Sequence, residues 1–103
     1  MLFAPLTAPP VTTIPRGPVA TIATQRGELV SFALPHRAGL SWRVARTPNG
    51  RVLRQVAEAD VGRSVVVVFK ALRGGRTRVV FALTRGESAK GLASRTYTVT
   101  IRS

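Results

Sequence analysis

The sequence predicts an all-β, antiparallel sandwich of about seven strands, on three observations. Short segments rich in valine and threonine follow one another, apolar and polar residues alternate through most of them, and Gly or Pro punctuates the boundaries. Alternation at period two marks strands with one face on a core and the other in water. At 103 residues there is room for one such domain with a single core.

Residues 1–18 stand apart. Pro5, Pro9, Pro10, Pro15 and Pro18 alternate with Ala, Thr and Val, and proline lacks the backbone donor that a helix or an inner strand needs. An extended N-terminal arm is expected over 1–18, with the sandwich domain over 19–103. If that arm is ordered, something outside its own domain is expected to hold it.

Val19 to Gln25 reads as the first strand, and Arg26-Gly27 turns the chain into Glu28 to Leu34, with Val30, Phe32 and Leu34 on one face and Pro35 closing it. Leu40 to Arg46 places Leu40, Trp42 and Val44 inward and Ser41 and Arg43 outward. Pro48-Asn49-Gly50 reads as a hairpin turn, because Asn-Gly readily takes positive φ. Val52, Leu53 and Val56 would also suit one helical turn, but a short strand to Asp60 is expected. Arg63 to Ala71 is a central strand, Gly74-Gly75 a tight turn, and Arg76 to Thr84 its partner, with Thr77, Val79, Phe81 and Leu83 sharing a face. After a polar loop from Gly86 to Gly91, Ser94 to Arg102 turns Tyr97, Val99 and Ile101 inward and Thr96, Thr98, Thr100 and Arg102 outward.

Composition bounds the chemistry. Without cysteine there are no disulfides, thiol catalysis or cysteine-based zinc sites, and either redox compartment is tolerated. No apolar run approaches the roughly 18 residues of a membrane helix, so membrane insertion is not expected. Met1 to Leu6 lacks the basic and apolar regions of a secretory signal. The chain is expected to be secreted or periplasmic if a signal peptide was removed, and cytoplasmic or part of a virion if Met1 is native. Sixteen Lys and Arg face only Glu28, Glu58, Asp60 and Glu87, a net charge of +12. Such a charge draws acidic partners, and the partner expected is another protein with an acidic surface.

Catalysis is not expected. The one histidine, His36, has Ser41 nearby and Asp60 elsewhere, but no strand-to-helix elbow or oxyanion loop surrounds that serine. A lone histidine without paired carboxylates makes no metal site, and no cofactor is implied. Glu28 reads as a surface residue beside a turn. Gly74-Gly75 joins strands, whereas a phosphate loop opens a helix. Trp42 reads as a core tryptophan on the third strand. Phe32, Trp42, Phe69, Phe81 and Tyr97 all fall on inward phases, leaving no platform for stacked bases, so nucleic-acid binding would reduce to sequence-blind attraction.

The residues resemble the chagasin-type inhibitors of papain-like cysteine proteases. The similarity runs from Val19 onward and rests on Gly27-Glu28-Leu29-Val30 opening a strand, Leu34-Pro35 ending it, and Gly39 and Trp42 after a loop. Gly75 before the Val79 to Leu83 strand and a last strand with Arg95, Tyr97 and Val99 extend it. The resemblance implies an immunoglobulin-like fold in which three loops at one end wedge into a protease cleft. Here the first loop is reduced to His36-Arg37-Ala38-Gly39, the second retains Gly62, and the third reads Arg85-Gly86-Glu87 without an aromatic anchor. Weak or absent binding to papain-like proteases, at best micromolar, is the expectation.

In immunoglobulin-like order the third, sixth and seventh strands share a sheet, whose outer face would carry Arg43, Arg76, Arg78 and Arg102 as a basic docking surface. The function expected is a non-catalytic protein-binding module with altered loops. A structural subunit of a larger assembly, such as a virion decoration fastened by its arm and basic face, is the alternative. Non-specific nucleic-acid binding is the second.

Overall fold

A computed structural model describes residues 10–103. Seven strands follow in order: β1 (Val19–Gln25), β2 (Leu29–Pro35), β3 (Ser41–Arg46), β4 (Leu53–Asp60), β5 (Ser64–Ala71), β6 (Gly75–Thr84) and β7 (Gly91–Arg102). They form a four-stranded sheet, β1-β7-β6-β3, packed on a three-stranded sheet, β2-β5-β4. The third, sixth and seventh strands thus share a sheet, as expected. The 52–60 segment is a strand rather than a helical turn. Among the described residues no helix is long and apolar enough to cross a membrane.

The core sits where the inward phases meet. Val30, Phe32 and Leu34 from β2 and Val67 and Phe69 from β5 pack against Val79 and Phe81 from β6 and Val99 and Ile101 from β7, all buried. Phe32 is the hub of the aromatic contacts, with ring centroids 5.7 Å from Phe69, 5.4 Å from Phe81 and 4.5 Å from Tyr97. Each buried ring removes enough apolar area to contribute about 1.5–3 kcal/mol. Trp42 and Tyr97, expected among the buried residues, are only half-buried against this cluster. The Trp42 indole Nε1 donates to the carbonyl of Pro35, the last residue of β2, at 2.9 Å.

Three features of the topology differ from the sequence expectation. The sandwich is not wholly antiparallel: β1 runs parallel to β7, from Val19 beside Thr96 to Gln25 beside Arg102. Gly74-Gly75 is not a hairpin turn, because β5 pairs with β2 and β4 whereas β6 pairs with β3 and β7, so the chain changes sheets there. Pro48-Asn49-Gly50 likewise crosses from β3 to β4 in the opposite sheet. Asn49 builds that crossing without positive φ: its carbonyl accepts from Val52 and Leu53 N–H at 2.9 Å, and its side chain accepts from Arg51 N–H at 3.0 Å. A local amide acceptor thus replaces the expected I′ turn.

The arm is described only from Pro10, and the expectation for 1–9 lies outside the described residues. From Pro10 to Gly17 the chain is a strap on the outer face of its own four-stranded sheet, contrary to the expectation that something outside the domain would hold it. Thr12 and Thr13 N–H donate to Ala89 O, Gly91 N–H donates to Thr13 O at 2.7 Å, and Ser94 Oγ donates to Pro15 O at 2.6 Å. Arg46 Nη1 donates to Val11 O at 3.0 Å, and Val11 is 2% exposed. Val80, Ala82, Thr84 and Ser94 on the outward phase are buried in consequence. Prolines suit such a strap, since it needs few donors and gains from restricted φ.

Candidate functional site

Three connections gather at one end of the sandwich: 36–40 between β2 and β3, 61–63 between β4 and β5, and 85–90 between β6 and β7. Backbone geometry shapes the first two. Leu40 N–H donates to Arg37 O at 3.0 Å across Ala38-Gly39, with Gly39 at φ 73° in the left-handed region that this turn position requires. Val61 N–H donates to Ser64 O at 2.9 Å around a two-residue loop whose first residue, Gly62, has φ 93°.

His36 joins these two loops twice. Its backbone N–H donates to Arg63 O at 2.9 Å, and its Nε2 donates to Asp60 Oδ1 at 3.0 Å. The same carboxylate accepts Gly62 N–H at 3.0 Å. The Gly62 amide first, and the His36 ring second, hold the Asp60 carboxyl below the usual carboxylate range. His36 and Asp60 are both exposed, so the pair is a latch between two loops in water. Ser41 stands in register with Thr84 on the four-stranded sheet.

The third loop is bound to the strap. Ala89 O accepts the Thr12 and Thr13 amides, Arg43 Nη1 donates to Ser88 O at 2.9 Å, and Thr84 Oγ1 donates to Gly86 O at 2.7 Å. Arg37, Ala38, Arg85, Gly86 and Glu87 are exposed at this end. So is Val61, at 61%, an apolar side chain at the tip of the second loop.

Of the four basic-face residues, Arg43 lies at the loop end, half-buried and engaged with Ser88. Arg76 and Arg78 lie beyond the strap on the uncovered part of the same face, and Arg102 Nη2 donates to Gln25 Oε1 at 3.2 Å. The strap, absent from the sequence reading, divides that face. Asp60 was equally missed as a loop-holding residue, although Asp60-x-Gly62 is a spacing that an Asx turn favours. Arg95 was also unassigned: its guanidinium stacks 5.4 Å from the Trp42 ring centroid.

Comparison with known proteins places this architecture. No protein-family model matches the chain, and no curated protein matches it. Solved structures do. The cysteine protease inhibitor EhICP2 from Entamoeba histolytica superposes with a TM-score of 0.59 at 19% identity, covering 85% of this chain and 99% of that one. PbICP-C, solved in complex with falcipain-2, superposes with a TM-score of 0.71 at 13% identity, covering 89% and 94%. The solution structure of amebosin gives 0.50 at 19% identity, covering 85% and 98%. The chain therefore has the chagasin-like, immunoglobulin-like fold.

Proposed function

We propose that this chain is a non-catalytic protein-binding module of the inhibitor type, presenting its three-loop end to a cleft in a partner protein. The observation that carries the reading is the latch at His36: one residue ties the 36–40 loop to the 61–63 loop through Asp60 and Arg63, on a fold shared with a cysteine protease inhibitor. A loop set held in place before binding has less conformational entropy to lose on association. The partner carries an acidic rim, because Arg37, Arg63 and Arg85 outnumber Asp60 and Glu87 at this end.

The altered loops set the strength. With His36-Arg37-Ala38-Gly39 in the first loop and no aromatic residue in Arg85-Gly86-Glu87, the end lacks the bulky anchors that dominate tight interfaces. Affinity for papain-like proteases is at best micromolar. A structural-subunit role that relies on the arm loses its support over residues 10–17, since that stretch is already engaged with its own sheet.

Competitive inhibition of papain measures this directly. Wild-type protein should compete with substrate in the micromolar range or weaker, and Arg37→Glu with Arg85→Glu should weaken it at least tenfold further. Nanomolar inhibition would refute the account of the loops, and inhibition unchanged by both substitutions would refute the choice of surface.

A further inference from the structure

Outward residues of the four-stranded sheet can be read row by row from the strand register. Val80, Thr96 and Val19 form one row beside the strap, then Arg78, Thr98 and Thr21, then Arg76, Thr100 and Ala23. Thr21, Arg76, Thr77, Arg78 and Thr98 line an open groove of about 350 Å³. None of the four acidic residues belongs to this face: Glu58 and Asp60 lie on β4 in the opposite sheet, Glu28 in the β1–β2 turn and Glu87 in the β6–β7 loop. Arg76 and Arg78 are exposed, and neither makes a side-chain hydrogen bond or ion pair among the described residues.

We propose that this groove binds an extended acidic segment of a partner protein whose Asp or Glu residues alternate along one face. Arg76 and Arg78 are two residues apart on one strand, so their side chains leave the same face about 6.6–6.8 Å apart. Carboxylates at alternate positions of an extended chain repeat at that same interval, which lets each guanidinium take one carboxylate in its two-pronged geometry. Thr98 and Thr21 lie one and two strands away across the groove, at about 4.8 Å per strand, and their hydroxyls supply neutral donors beside the arginines. No aromatic side chain lines the groove, so bases of a single-stranded nucleic acid would find nothing to stack on. This site is separate from the three-loop end and does not depend on the reading given there.

The test uses the full chain and two synthetic peptides of equal composition, one with Glu at every second position and one with the same Glu residues in a single block, plus a short DNA duplex and a single-stranded oligonucleotide. The alternating peptide should bind at least fivefold more tightly than the block peptide, shift the amide resonances of Thr21 and Thr98, and lose at least tenfold in Arg76→Ala/Arg78→Ala. Arg51→Ala/Arg54→Ala changes the charge equally but lies away from this face, and should lose less than threefold. Equal losses from both pairs would mean that net charge alone attracts the peptide, and equal binding of the two peptides would mean that spacing is not read. Either result overturns the proposal, as does tighter binding of either nucleic acid through the same two arginines.

Discussion

His36 Nε2 donates a hydrogen bond to Asp60 Oδ1 across 3.0 Å, joining the loop after β2 to the last residue of β4. Because a carboxylate only accepts, the imidazole proton sits on Nε2 in this contact. The Gly62 amide converges on the same oxygen, so two donors favour the ionised carboxyl.

The two donors can be separated by titration. In His36→Ala the Asp60 carboxyl should rise toward the ordinary value yet remain below it, because Gly62 N–H, the larger influence, is retained. Side-chain carboxyl NMR shifts followed against pH would read this. A return to the ordinary value would show that the histidine alone lowers it.

The sign of the pH effect follows from the same lowering. A depressed carboxyl stabilises the fold while ionised, so its contribution is complete above the ordinary carboxylate range and is lost as pH falls through the lowered value. Asp60→Asn should therefore reduce the acid-side fall in stability seen in chemical denaturation, with a difference from wild type that vanishes at the lowest pH. A difference that grows toward low pH would contradict this.

Gly17 packs so closely on Ser94 that an added Cβ would overlap the Ser94 carbonyl oxygen. Gly17→Ala should lift the strap and release Gly91 N–H from Thr13 O. Hydrogen exchange at Gly91 should accelerate about tenfold or more, equivalent to about 1.4 kcal/mol, while Val79 and Val99 in the core keep their protection. Unchanged exchange at Gly91 would mean that the strap does not hold the 85–90 loop.

Core energetics should follow the observed burial rather than ring size. Phe81 is 0% exposed, and Phe81→Ala should cost about 3–5 kcal/mol through lost burial and a cavity. Trp42, half-buried, should cost less on replacement by Ala, and Trp42→Phe should chiefly loosen the 36–40 loop by releasing the Pro35 carbonyl. Urea unfolding of the three variants measures the order.

Strand identity was legible wherever alternation was clean. Val30-Ser31-Phe32-Ala33-Leu34 and Val99-Thr100-Ile101 carry their burial in the pattern itself, and both lie in strands with the expected faces. Connections were less legible, because glycine or Asn-Gly announces a change of direction without naming the sheet that the next strand joins; Gly74-Gly75 and Asn49-Gly50 both cross between sheets for that reason. Trp42 packs on the core from its inward phase but is only half-buried, because period two encodes which face a residue takes and not how deeply it is covered. The candidate site was legible as three loops, through the family resemblance. The Asp60 latch and the strap were not, since each joins residues far apart in sequence, 24 positions for His36 and Asp60 and 79 for Pro15 and Ser94.

The central claim is that the three-loop end is a binding surface, and an NMR footprint of the full chain titrated with an active-site-blocked papain-like protease tests it most directly. Shifts confined to 36–40, 61–63 and 85–90, saturating with a Kd in the micromolar range or weaker, are the predicted result. Shifts that centre on other strands, saturation at nanomolar protease, or no shift at about 1 mM, where binding of about −4 kcal/mol is still detected, would contradict it.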